Sequence, residues 1–257
     1  MFGPSLKIAG AIFKEGLKLI YEYIGTVILI SILWFTIGFA PMIFVTVTGL
    51  GRIPLVFILA ILATFFTLGP STAGVHETLA LILNRELFSF TDFFSGFRKH
   101  YWRSVGLMTL NIVVWGILIL NMYFYLTMFK APVLVIIATV SLTFYMLVFW
   151  ALMNVWFFPL LVQRPRKVTA ILKQAALLAL DNLVVSWMIT LMSVLVLVVS
   201  FFLRVGLVLF LIGGIATFQD LGFLKILDRY KAMEEAKEAQ KKNELLSQNK
   251  EDKGKEE

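Results

Sequence analysis

"LGPSTAGVHETLALILNRELFSFTDFFSGFRKHYWRS", residues 68–104, is the stretch on which the reading of this chain turns. It begins inside a long apolar run and interrupts it with Gly69-Pro70. It then sets His76 and Glu77 where an apolar helix should still be running, and it closes in aromatics interleaved with bases. Two readings compete. In one, the stretch is the joint where a membrane helix turns to run along the surface. In the other, it is a binding site. The joint is the expected reading, and the site is kept as its rival.

Composition explains why a membrane is in question. The 257 residues are 60% hydrophobic and 15% charged, with a mean hydropathy of +0.88. A soluble domain carries about 25% charged residues and could not hide this much Phe, Leu, Val and Ile. Several runs approach or exceed the ~20 apolar residues that cross a bilayer. The expected fold class is all-α, a polytopic membrane helical bundle. The chain has no cysteine, which excludes disulfides, thiolate catalysis and Cys-ligated metals. A net charge of +7 would suggest nucleic acid in a soluble protein. Here the positions of the bases matter more, so the expected partner is the lipid bilayer and not nucleic acid. The first residues, Met1 to Lys7, lack the apolar stretch and cleavage site of a secretory signal. The first membrane helix is expected to act as an uncleaved insertion signal.

Working outward from the opening stretch, six spans are expected, at about residues 23–48, 54–83, 104–129, 132–162, 183–203 and 205–222. The last two come from one run, Leu183 to Phe218, interrupted only by Arg204. As one helix it would rise about 54 Å, against a hydrocarbon core of ~30 Å. A tight turn at Arg204 resolves the conflict and leaves a short sixth span containing Gly213-Gly214. With both termini on one side, that side collects 20 of the 23 bases, and the other holds only Arg52, Lys130 and Arg204. Cytoplasmic loops collect Lys and Arg, so both termini are expected in the cytoplasm. The outer loops are then very short, about Gly49 to Ile53, Lys130-Ala131, and Arg204 alone.

The inner connections are richer. Residues 84–103 are expected to form an interfacial elbow helix. Phe90, Phe93, Phe94, Phe97 and Tyr101 recur at helical spacing as an apolar stripe. Ser89 and Asp92 have capping-box spacing, and Arg85 is a base near the helix start. Arg98, Lys99 and Arg103 can reach phosphate headgroups while the aromatics dip beneath them. The connection 164–182 repeats the theme, with Arg164, Arg166, Lys167 and Lys173 beside Val168, Ile171, Leu172 and Ala175. Each elbow joins an inward span to an outward one, which suggests a weak parallel repeat of 54–129 and 132–203. Residues 1–230 are expected to be the membrane domain. Residues 231–257 form a charged cytoplasmic tail, expected to extend the last helix for a few turns and then to be disordered.

Gly69, Pro70, Ser71, Thr72, His76 and Glu77 are the candidate ligand or coupling site. Proline removes an amide and clashes with the carbonyl of Phe66, so the helix must kink or break. A break would make a half-helix whose free amides could bind an anion, as in broken-helix transporters. A packing kink, with Ser71 and Thr72 covering the freed backbone groups, is the commoner outcome. Helix rise from Pro54 puts His76 and Glu77 near the cytoplasmic interface. There Glu77 would pair with Arg85 or an elbow base, or the two residues would form a proton relay. Asn111, Asn121 and Asn154 are expected to bond between helices. Pro159 is expected to kink the fourth span. No catalytic constellation is visible. Two histidines without a third ligand make a poor metal signature, so neither metal nor cofactor is expected. "KQAALLALDN", 173–182, is similar to a permease coupling loop but lacks its spaced glycine.

Two stretches do resemble a family. Gly69, Pro70, Thr72, Ala73, Arg85, Glu86, Asp92, Phe93, Phe94, Phe97 and Arg98 fit the hallmark segment of the YesL-like bacterial membrane proteins. Pro159, Leu160, Leu161, Lys173, Ala175 and Asn182 fit that family's second cytoplasmic segment. Asn84 stands where a base is usual, and His76-Glu77 departs from the pattern. The resemblance implies a non-enzymatic accessory or regulatory component of the bacterial cytoplasmic membrane, linked to carbohydrate uptake and to a carbohydrate ABC transporter as partner. The alternative is a small-solute transporter with its site at the interrupted second span. Nothing in the sequence sets an oligomeric state.

Overall fold

The structure, a computed structural model, describes residues 2–84, 86, 89–127, 132–164 and 167–253. Among these, all regular structure is helical. In chain order the helices are α1 (Phe2–Glu22), α2 (Ile24–Gly38), α3 (Ala40–Val47), a short 3-10 turn (Leu50–Arg52), α4 (Pro54–Leu83) and α5 (Phe90–Lys99). They continue with α6 (Tyr101–Thr127), α7 (Val133–Gln163), α8 (Val168–Asp181), α9 (Leu183–Phe202), α10 (Gly206–Leu209) and α11 (Leu211–Lys253). Arg85, Lys130, Ala131, Arg166 and Lys255, used above in the loop and charge readings, lie outside the described residues.

Four helices are long and apolar enough to cross a membrane: α4, α6, α7 and α9. The count reaches five if α1 and α2, bent by 86° at Tyr23, form one broken span. Six were expected, and two of the expected spans are interrupted in the structure. The expected span 23–48 divides at Phe39, because Pro41 sits in the first turn of α3, where a missing amide suits a new helix start. The resulting α2 has 15 residues, short of the ~20 a crossing needs. The expected span 205–222 divides at Phe210 into α10 and the head of α11. The turn at Arg204 does occur. Its φ is 51°, the only positive value at a non-glycine residue among those described, a conformation that costs about 1–2 kcal/mol.

Helix α1 was not anticipated. Ala9, Ile12 and Gly16 are buried, whereas Lys7, Lys14 and Lys18 are exposed. The helix lies against α9 and α11, and Glu15 accepts a 2.7 Å bond from Lys225 of α11. The short helix α5 also differs from the expected 84–103. The Ser89–Asp92 capping box starts it late, with the Ser89 amide donating to Asp92 Oδ2 at 2.6 Å. His100 then ends it, and α6 begins at Tyr101. The aromatic stripe is divided: Phe93 is buried, Phe90 and Phe94 are exposed, and Phe97 lies against Tyr101 with ring centroids 5.7 Å apart. Both short connecting helices, α5 and α8, pack mainly on the long helix that precedes them.

Burial is polarised along the long helices. Residues 69–80 of α4 are all buried except Glu77, and so are residues 155–162 of α7, whereas Leu55, Leu134 and Phe202 near opposite helix ends are exposed. The buried half centres on Trp156, Phe157, Leu161, Ile171, Ile189, Phe218 and Ile226. Large apolar side chains left in the open mark a membrane-interaction surface, and the chain is read here as spanning one. Interhelical bonds tie the bundle together. Asn111 Oδ1 accepts from Trp150 Nε1 at 2.8 Å and from Asn154 Nδ2 at 3.0 Å, while Trp156 Nε1 donates to Ser186 Oγ at 3.0 Å. Such bonds within membranes are worth about 1 kcal/mol. Asn121 is exposed instead.

Small residues set the helix spacing around α4. A Cβ at Gly69 would stand 2.5 Å from the Ser104 carbonyl oxygen of α6. A Cβ at Gly74 would stand 2.7 Å from the Phe93 oxygen of α5, and one at Gly96 would stand 2.5 Å from Glu77 Cβ. Gly69→Ala should therefore lower the thermal unfolding midpoint in detergent, through an overpacking cost of about 1–3 kcal/mol. Gly116→Ala, with nothing within 4 Å, should leave the midpoint unchanged or raise it.

Candidate functional site

The interruption at Gly69-Pro70 does not divide α4, which is one helix from Pro54 to Leu83. The hydroxyls around it bond to the backbone of α4 and to α2. Ser71 Oγ donates to the Thr67 carbonyl at 2.6 Å, and Thr72 Oγ1 donates to Leu68 at 2.8 Å. Trp34 Nε1 of α2 donates to Thr72 Oγ1 at 2.9 Å. Thr67 Oγ1 donates to the Gly38 carbonyl at 2.7 Å, satisfying a group that the end of α2 leaves without a helical partner. Gly69, Pro70, Ser71 and Thr72 are all buried. Their surroundings are α2 on one side and α6 on the other.

One turn later the two ionisable neighbours part. His76 is 1% exposed and its Nδ1 lies 2.9 Å from Oδ2 of Asp220 on α11, which is 0% exposed. Gln163, the last residue of α7, approaches Asp220 Oδ1 with its Nε2 at 3.5 Å, the outer limit of a useful bond. The His76 ring is stacked on Phe158 of α7 with centroids 5.5 Å apart and planes 12° from parallel. Glu77 faces the other way. Its Oε1 accepts from Lys99 Nζ at 2.7 Å, and its Oε2 lies 3.3 Å from His100 Nε2. His100 is buried, and its Nδ1 has no hydrogen-bond partner. The turn 76–77 thus links α4 to α11 on one side and to α5 on the other. Among the remaining candidates, Asp92 caps α5 and Phe93 packs under it, while Arg98 and Arg103 are exposed.

Asp220 was missed from sequence, although a signal was present. Gln219-Asp220 is a polar pair set in the apolar stretch from Leu211 to Phe223, and an acid there is a functional candidate by default. A second junction was also missed. Buried Asn182, between α8 and α9, donates from Nδ2 to Tyr230 OH at 2.8 Å and accepts from Arg229 at 3.4 Å. Among the described residues no group of three or more His, Asp or Glu is placed to hold a metal ion.

What the arrangement can do follows from its composition. An imidazole and a carboxylate in a dry core can share, hold and release a proton. They also bind α4 to α11 only while both are satisfied.

A family model described as a protein of unknown function, DUF624, matches residues 27–122. The match begins in α2, ends in α6, and contains Gly69 to Glu77 and the whole of α5. The YesL-like proteins belong to DUF624, so it covers the first of the two resembling segments. Asp220, Gln163 and the second segment lie beyond it. No curated protein and no solved structure matches the chain.

Removing one partner of a buried pair strands the other. His76→Ala or Asp220→Ala alone should cost about 3–5 kcal/mol. The joint replacement His76→Phe with Asp220→Leu should recover most of that loss. Unfolding midpoints of the four proteins in one lipid nanodisc preparation check this.

Proposed function

We propose that this protein is a non-enzymatic accessory or regulatory component of a bacterial cytoplasmic membrane, linked to carbohydrate uptake, with both termini in the cytoplasm. The observation that carries the reading is how the polar features are distributed. The groups of α4 that could have formed a ligand site are taken up by α2, α5, α6 and α11 of the same chain. By contrast, α11 continues beyond Tyr230 with every side chain from Lys231 to Lys242 exposed. That segment carries Lys231, Glu234, Glu235, Lys237, Glu238, Lys241 and Lys242, a surface suited to a charged protein partner. The carbohydrate link, and an ABC transporter as that partner, rest on the YesL-like resemblance. The inward placement of the termini rests on the distribution of Lys and Arg.

A second reading, a small-solute transporter, is favoured by one observation. Ionisable residues buried within an apolar helical bundle commonly mark substrate or proton pathways, and His76 and Asp220 are such residues.

A photo-crosslinker placed at Lys237 should capture an ABC permease or its ATPase from native membranes. Capture of lipid or of the same chain alone would overturn the accessory reading. The transporter reading has its own test in proteoliposomes. If it holds, Glu77→Gln and Pro70→Ala should each reduce small-solute flux at least several-fold, and unchanged flux removes it.

A further inference from the structure

We propose that His76 and Asp220 form a proton-binding latch, which holds α11 against α4 and α7 while it carries its proton and loosens that contact when the proton leaves. The inference stands apart from the identity of any partner, because the latch acts on α11 whatever the tail binds.

The argument starts from charge in a dry place. Both side chains are buried and lie 2.9 Å apart, enclosed by Phe158 and by the neighbouring apolar helices. The two groups together can carry two titratable protons. They are electrically neutral with one of them, whether as imidazolium with carboxylate or as imidazole with carboxylic acid. With none, a net negative charge is buried, and with two, a net positive one. Either is costly without compensation.

Among the described residues, the surroundings supply no compensation. Helices α2, α3, α9 and α10 contribute no ionisable side chain. From α5 and its cap, Lys99 and His100 are engaged by Glu77. From α1, Glu15 is engaged by Lys225 of α11. Arg103 of α6, Arg164 after α7 and Lys173 of α8 are exposed. Among the described residues, the one polar contact besides the pair is Gln163, at a long 3.5 Å. Gln163 is only partly buried and adjoins exposed Arg164, which gives the proton a short route to solvent.

The pH dependence has a definite sign. Once hydrated, a carboxyl and an imidazole titrate near about 3.9 and 6.5. Between those values the open pair also carries one proton, so opening exchanges none. Above about 6.5 the open pair carries one fewer proton than the latched pair. The latch therefore weakens about tenfold per pH unit as pH rises. Below about 3.9 the open pair carries one more, and the latch weakens as pH falls.

The native chain has no cysteine, so two introduced ones are free of background. Spin labels at Asn84→Cys, at the end of α4, and Lys231→Cys, on α11, report the separation of the two helices in nanodiscs by pulsed dipolar spectroscopy. At pH 6 a single distance population is expected. A second should grow by up to about tenfold per unit at higher pH. Asp220→Asn should abolish that growth, because a neutral amide and a neutral imidazole leave no proton to lose. His100→Gln should leave it intact. A wild-type distance unchanged from pH 5 to pH 9 overturns the proposal, and so does growth that survives Asp220→Asn. If Asp220→Asn fails to fold, the imidazole nitrogen resonances of His76 in the His100→Gln background decide. They must shift over the same interval as the distance, and a static resonance overturns the latch.

Discussion

Everything in this bundle is organised around how closely other helices approach the C-terminal half of α4. At Gly69 the Ser104 backbone of α6 occupies the space a side chain would need, and at Gly74 the backbone of α5 does the same. Between membrane helices there is no hydrophobic effect to exploit, so close packing and interhelical hydrogen bonds must hold them. Small residues supply the first, and Thr67, Thr72 and Trp34 supply the second. The third approach, by α11, combines apolar packing around Val75, Leu79 and Ala216 with the pair His76 and Asp220.

The elements most legible in the sequence were those set by long apolar runs. The span expected at 54–83 is α4 residue for residue, that expected at 132–162 differs from α7 by one residue at each end, and that expected at 183–203 differs from α9 by one residue at its end. The turn at Arg204 was legible because a 36-residue helix is too long for a bilayer. The capping box of α5 was legible because it depends on two residues three apart. The less legible features depend on partners distant in sequence. Helix α1 has a short amphipathic face whose burial requires α9 and α11. The split of the expected first span at Phe39 hinges on a single proline, which hydropathy averages away. His76 was noted, but its partner lies 144 residues further on. No local pattern selects between a neighbouring Glu77 and a distant Asp220. Only packing does, because consecutive residues on a helix point about 100° apart.

The buried pair and the small-residue contacts place different demands on the chain. The glycines fix distances and admit no alternative arrangement. The pair fixes a charge state and admits two. A helix held rigidly on two sides and conditionally on the third can let one neighbour move while the others stay in place. Conditional contacts of this kind are where coupling between distant parts of a protein is expected, since they provide an element with two discrete arrangements.

The length of α11 gives that freedom a scale. The helix runs unbroken from Leu211 to Lys253, and from Asp220 to Lys242 it rises about 33 Å. Its head is fixed where the Gly213 amide donates to Ser31 Oγ at 3.1 Å. A tilt of about 5° about that point moves Asp220 by roughly 1 Å and the helix at Lys242 by about 4 Å, given 1.5 Å of rise per residue. A displacement of about 1 Å at the buried pair thus corresponds to one about four times larger at the far end of the exposed helix.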